Sequence, residues 1–345
     1  MTSRLNYGKT FLLGFGFFGV SVIWGVYNAF VPIFLSEKFN VAPILIGFFM
    51  TLDNIAALFI QPPVGAWTDR LRTSLGRRIP FIIIGAPITA LAFGLIPLAS
   101  VIPLFVACTS TTLLSAALWR TPVVALMPDI TPSAFRSQAN GIINFMGGIG
   151  SIIALQTGGL LYKMSPNFPF WMGSLLVVLA ALVVYLFIEE PPEYEQAEQQ
   201  PGLLASLKEV FADEEKSGAR LLFAIFFWFV GYSAIETFFT LYARNRLGLE
   251  VGDSATLLSV LPLFFVLFAI PAGYLGSRIG RRVTISIGLI TLILMLILIY
   301  ITPVDALLTG IAPLPLVGIP LVEGGARMLT LAGVLLIFGG IGWSF

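Results

Sequence analysis

The chain has 345 residues, of which 57% are hydrophobic and 11% charged, whereas a soluble globular protein carries about a quarter charged residues. A net charge of +1 gives no reason to expect nucleic acid, and the single cysteine, Cys108, excludes an intrachain disulfide framework or a cysteine-based metal site. With no histidine, any proton coupling must run through carboxylates.

So apolar a composition belongs in lipid. A helix needs about 20 apolar residues to cross the hydrocarbon, and the chain offers ten such runs, at about 10–35, 43–67, 79–98, 101–127, 137–161, 168–188, 219–243, 254–275, 283–301 and 328–345. Peptide groups in lipid must be bonded within their own segment, so all ten are predicted to be helices and the fold class all-α. The first run, behind Arg4 and Lys9, is too long for the apolar stretch of a signal peptide and reads as a span.

Basic residues gather in alternate connections. Arg4 and Lys9 come first, then Arg70, Arg72, Arg77 and Arg78, then Arg136, then Lys208, Lys216 and Arg220, then Arg278, Arg281 and Arg282. The intervening connections hold Lys38, Lys163, Arg244, Arg246 and Arg327. This asymmetry predicts a cytoplasmic N-terminus in a plasma membrane.

The turn after the second run, "GAWTDRLRTSLGRRIP", holds more than topology requires: Gly65 precedes Asp69 and Arg70 by one helical turn, and Gly76 leads Arg77 and Arg78. About 200 residues later "GYLGSRIGRR" repeats the glycine, the arginine five residues on (Arg278) and the Gly-Arg-Arg end (Arg281, Arg282). The repeat divides the chain into a six-helix bundle over 1–188, a linker over 189–218 and a four-helix bundle over 219–345. The linker opens with polar "EEPPEYEQAEQQPG", and its Leu203, Leu204, Leu207, Val210 and Phe211 recur at helical spacing, predicting an amphipathic helix on the membrane surface. "GGIGS", Gly147–Ser151, reads as a close helix contact rather than a phosphate loop, which needs water and a following Lys.

Ionisable groups within a span are costly and usually functional. Asp53 and Glu236 are the candidate titrating carboxylates, and Arg120 is a candidate solute ligand. Trp24 with Asn28 and Tyr27, Asn54 beside Asp53, Trp119 beside Arg120, and Tyr232 one turn from Glu236 supply the amides and ring faces that bind a hydroxylated solute. Packing alone could also account for Arg120 and for the amides. Asp69 with Arg70, Arg77 and Arg78, joined by Asp129 and Arg136 of "MPDITPSAFR" and by Arg278, Arg281 and Arg282 of the repeat, forms a candidate conformational latch, made in one state and broken in another.

These motifs carry a resemblance. The G-x-x-x-D-R…G-R-R turn resembles motif A of the major facilitator superfamily. "DRLRTSLGRRIPF", "LDNIAALFIQPPVGAWTDR", "WRTPVVALMPDITPSAFRSQANGIINFMGGIG" and "GYSAIETFF" are similar to the glycoside–cation symporter branch, which includes plant sucrose transporters and bacterial relatives. The resemblance implies two six-helix bundles, of which the second is here short of helices eleven and twelve, so the sequence reads as truncated, with a natural ten-helix protein as the alternative. It also implies a substrate or coupling role for the helix-four arginine, Arg120.

The expectation is a monomeric secondary transporter coupled to H⁺ or Na⁺, without metal or other cofactor, that moves a sucrose- or maltose-like sugar by alternating access. The alternatives are a cation-driven exporter of small amphiphiles and a non-transporting membrane sensor. An enzyme is disfavoured, since the sequence shows no nucleophile–base pair and no metal-ligand cluster.

Overall fold

A computed structural model describes residues 5–190, 203–212, 216–315, 318–320 and 325–345, except the side chains of residues 53, 55–58, 203–207 and 281. Arg4, most of the polar linker and the side chains of Asp53 and Arg281 therefore lie outside the described residues.

The first half contains α1 (Tyr7–Ile33), prolonged by a π-helical turn at Phe34–Lys38, then α2 (Pro43–Arg70), α3 (Ile79–Leu95), α4 (Ile102–Ile130), α5 (Arg136–Met164) and α6 (Phe168–Phe187). Proline stands in the first turn of α2, α3, α4 and α6, where its fixed φ suits the helix and its missing N–H has no partner to lose. The linker helix is α7 (Leu203–Ala212); Phe211 sets its ring against Phe223, with centroids 6.0 Å apart.

The second half contains α8 (Ser217–Arg246), α9 (Val251–Leu258), α10 (Val260–Ile279), α11 (Arg281–Ile301), α12 (Val304–Leu307) and α13 (Leu331–Ser344). The run expected at 254–275 is thus a helix broken at Ser259. Pro262 offers no N–H to the carbonyl of Leu258, and the Ser259 hydroxyl donates to the Thr256 carbonyl at 2.6 Å; both features bend helices. Among the described residues, eight helical spans are long and apolar enough to cross a bilayer.

Between α12 and α13 the chain forms a small sheet that the sequence reading did not anticipate. β1 (Gly310–Pro313) and β2 (Ile319–Pro320) both pair antiparallel with the central β3 (Arg327–Thr330). The last run, expected at 328–345, is for this reason a helix of only 14 residues, capped by the Thr330 side chain, which accepts from the Gly333 N–H at 3.3 Å.

In the first half α1 packs on α5 and α6, and α3 on α4 and α6; in the second, α13 lies against α10 and α11. Small residues permit the closest of these contacts. A Cβ at Gly150 would come within 2.6 Å of the Phe18 carbonyl, so the GGIGS stretch presses α5 onto the α1 backbone. Across the halves α5 meets α9 and α10, and α1 meets α8.

Candidate functional site

Two polar groups stand within the spans, one in each half. In the first, α4 carries Arg120 with its guanidinium carbon 5.9 Å from the ring centroid of Trp24 on α1, within reach of a cation–π contact. Trp24 meets Tyr27 edge to face at 5.8 Å, and Asn28 is half-buried one turn beyond Trp24. Asn54 is exposed on α2. Trp119 departs from the expected role: it is 1% exposed, and its indole N–H donates to the Thr89 hydroxyl at 3.1 Å, which in turn bonds the Gly85 carbonyl at 2.9 Å. It anchors α4 to α3 inside the bundle and offers no ring face to a solute.

In the second group α8 places Tyr232 in a hydrogen bond with Glu236, one turn on. Trp343 of α13 is sandwiched between Tyr232 and Trp228, with centroid distances of 3.9 and 4.0 Å. The sequence reading missed Trp343, whose position near the end of a short apolar run gave no hint of a partner. Tyr232 and Glu236 line a void of about 20 Å³ with Ser151 and Leu155 of α5 and with Leu258, Leu261 and Pro262 of the broken helix, space for one water molecule. Glu236 therefore stands where the halves meet the bend.

At the end of the bundle holding the α2–α3 turn, two buried arginines share two aspartates. Arg77 donates to Asp129 at 2.7 Å and Arg78 at 3.1 Å; Asp69 lies 2.5 Å from Arg78 and 3.9 Å from Arg77. Arg78 also donates to the Thr68 hydroxyl. Glu190, read from sequence only as the start of a linker, closes the group: its carboxylate accepts the backbone N–H groups of Arg77, Arg78 and Ile79 at 2.9, 2.7 and 2.7 Å, an anion on the N-terminus of α3. Gly76 makes the preceding turn at φ +101°, a conformation that favours glycine.

The network thus ties α2, α3, α4 and the end of α6 together within one half. Arg136 is not joined to Asp129; it donates to the Pro128 and Thr131 carbonyls at 3.1 and 3.4 Å, capping the end of α4. Arg70 is exposed, as is Gly65's counterpart Gly273 in the repeat. There the position of Asp69 is taken by Ser277, and Arg278 lies over the Tyr274 ring at 4.7 Å while Arg282 is exposed. Without that carboxylate the repeat keeps the basic residues and the turn, and no such ladder forms among the described residues.

The opposite end, which carries the sheet, is closed by ion pairs between the halves. Lys163 of α5 reaches Asp253 of α9 at 2.6 Å and Glu250 at 3.3 Å, and Arg244 of α8 reaches Glu37 at 2.7 Å. The Gln156 side chain lies 2.9 Å from the Ser259 hydroxyl, and the backbones of α5 and α9 touch at Gly159 and Gly252. Toward the Asp69 end, below the contact of Gly148 with Val266, α5 and α10 border a cleft of about 560 Å³. Phe11, Ile142, Phe145, Phe265, Val266 and Ile270 give it apolar walls, with Gln138, Asn144 and Ser344 as its polar contacts.

Long apolar helices in two packed halves, sealed at one end and parted at the other, define a multi-pass membrane protein. The chain belongs to the Major Facilitator Superfamily, a superfamily of membrane transporters, whose family model matches residues 13–345. It is similar to multidrug resistance protein 2 of Bacillus subtilis (strain 168), 26% identical over 282 residues, which cover 80% of this chain and 67% of that protein. It is also similar to the cis,cis-muconate transport protein of Acinetobacter baylyi, 23% identical over 188 residues, 52% of this chain and 46% of that protein. The fold matches a solved nucleoside transporter with a TM-score of 0.70 at 17% identity, covering 98% of this chain and 80% of the other. A bacterial homologue of the human lysosomal transporter Spinster, inward-facing and unoccupied, matches with a TM-score of 0.71 at 16% identity, covering 99% and 74%.

Proposed function

We propose that the protein is a cation-driven exporter that moves small amphiphilic solutes by alternating access. The observation that carries this reading is the cleft between α5 and α10: apolar walls broken by two amides and a hydroxyl suit a solute with an apolar body and a few hydrogen-bonding groups. With the cytoplasmic N-terminus proposed from the positive-inside bias, that cleft and the Asp69 network belong on the cytoplasmic side of a plasma membrane, which makes the arrangement inward-open in this reading. The names of the similar multidrug resistance proteins support the same solute class. Glu236, hydrogen-bonded to Tyr232 at the bend, is the proposed proton carrier, with Asp53 as the second candidate; H⁺ is the proposed coupling ion, and the working unit a monomer. The Asp69–Arg77–Arg78–Asp129 ladder, pinned by Glu190, lies within the first half and is the proposed conformational latch in the sense that it is made in this state, with the cleft open, and broken in the other.

A second reading, symport of a disaccharide as in the sucrose-transporter branch, draws on Arg120 beside Trp24, a guanidinium next to one ring face; Tyr27 is fully buried behind that ring. The two readings separate in one experiment. Proteoliposomes with an imposed proton gradient are tested for accumulation of ethidium and of labelled sucrose and maltose, with Glu236→Gln as the control. Gradient-driven movement of the dye, lost in Glu236→Gln, supports the exporter; sugar accumulation without dye movement supports the symporter. Movement of neither under H⁺ or Na⁺ gradients contradicts both.

A further inference from the structure

Asp253, in the first turn of α9, is a buried carboxylate with one basic partner in each half; its side chain is 6% exposed. Lys163, from α5 in the first half, holds Oδ2 at 2.6 Å. Arg327, from β3 in the second half, faces Oδ1 at 3.6 Å, beyond hydrogen-bond distance. Oδ1 and the facing guanidinium nitrogen are both buried, and neither makes a hydrogen bond among the described residues. Arg327 is nevertheless aimed at the carboxylate by its own strand: its Nε donates to the Gly318 carbonyl at 2.7 Å, β3 runs directly into the cap of α13, and β2 packs on α9. Glu250, the other acid on Lys163, is 71% exposed and can be solvated by water.

To open the sheet-bearing end, α5 must leave α9, because their backbones touch at Gly159 and Gly252. Lys163 leaves with α5. Withdrawing Lys163 takes the hydrogen-bonded partner from a carboxylate that is 6% exposed with the end shut, and losing one partner of such a pair is costly, whereas Arg327 belongs to the same half as Asp253 and stays beside it. We infer that Arg327 is a standby counter-ion, which closes on Asp253 as Lys163 withdraws, so that this carboxylate is paired with the end shut and with the end open. The small sheet is the arm that keeps Arg327 in reach, and Arg327 is a positioning residue for the transport cycle. This inference rests on the alternating-access reading, but its test measures opening directly and needs neither a solute nor a gradient.

Thr256 is fully buried with its hydroxyl toward Gly159 of α5, so a cysteine there is uncovered only when α5 and α9 part. The probe is the rate at which a membrane-impermeant maleimide alkylates Thr256→Cys from the sheet side, in a Cys108→Ser background and in lipid nanodiscs. Arg327→Gln should slow labelling by about tenfold or more, because the open state now strands Asp253, while Lys163→Gln should speed it. Arg327→Lys should stay within about twofold of the parent. With the carboxylate neutralised the arginine has no task, so Asp253→Asn and Asp253→Asn/Arg327→Gln should label at the same rate. Arg327→Gln labelling as fast as the parent or faster overturns the inference, and so does a difference between the last two variants, which also serves if Arg327→Gln alone does not fold.

Discussion

Asp129 and Asp69 both contact Arg77 and Arg78, yet their removal should have very different consequences. The side chain of Asp129 is 14% exposed and meets both guanidinium groups within hydrogen-bond distance, while that of Asp69 is 47% exposed and shares its charge with solvent. Arg77 and Arg78 are 7% and 4% exposed, so deleting Asp129 takes from two buried cations the carboxylate that both guanidinium groups bond. Breaking a buried pair in this way costs about 3–5 kcal/mol, whereas a half-exposed ion pair is worth about 1 kcal/mol or less. At about 2–4 °C per kcal/mol for a domain of 150–250 residues, Asp129→Ala should lower the melting temperature by at least about 6 °C and Asp69→Ala by less than about 4 °C. The assay follows unfolding in detergent through thiol-dye labelling of Cys108, which is 8% exposed in the folded chain. A melting temperature that falls further in Asp69→Ala than in Asp129→Ala would refute the burial argument.

Other substitutions probe the remaining contacts. Glu190→Gln keeps one carbonyl oxygen but turns an amide against N–H donors that now reach a carboxylate; it should cost about 2 kcal/mol in the same melt, and an unchanged melt would deny the anion its place on α3. Gly150→Val forces a side chain onto the Phe18 carbonyl and should cost about 1–3 kcal/mol, measured as loss of folded protein after heating. Trp119→Phe should lose about 1 kcal/mol of stability and leave the apparent affinity for solute intact, since its ring is sealed inside the bundle; a loss of affinity without loss of stability would return that ring to the site.

What the sequence disclosed and what it hid follow from the range of the forces involved. Apolar length fixes a span locally, and so the helices were legible, including α2 with its first-turn Pro43. The pairing of Asp69 with Arg77 and Arg78 was legible because glycine and charge are patterned within one short turn. Glu190 was not, since its partners are backbone groups more than a hundred residues away in sequence, and an acid at the start of a Pro-rich stretch looks like linker. The break at Ser259 left a signal in Pro262 that an apolar-run criterion passes over. The sheet left one too, in the short Gly- and Pro-bounded strands between Gly310 and Thr330. Lys163, Asp253 and Arg327 come from three separate connections, and only the packing of α5 on α9 brings them together.

The central claim is that the two halves must part and close for a solute to cross. The direct measurement joins Glu37→Cys to Arg244→Cys, which replace an ion pair spanning the halves at 2.7 Å, with a short cleavable thiol crosslinker in a Cys108→Ser background. Gradient-driven dye movement is then recorded in proteoliposomes before and after cleavage. Movement should stop when the link is in place and return when it is cut. Movement at an unchanged rate through the linked protein would contradict the claim.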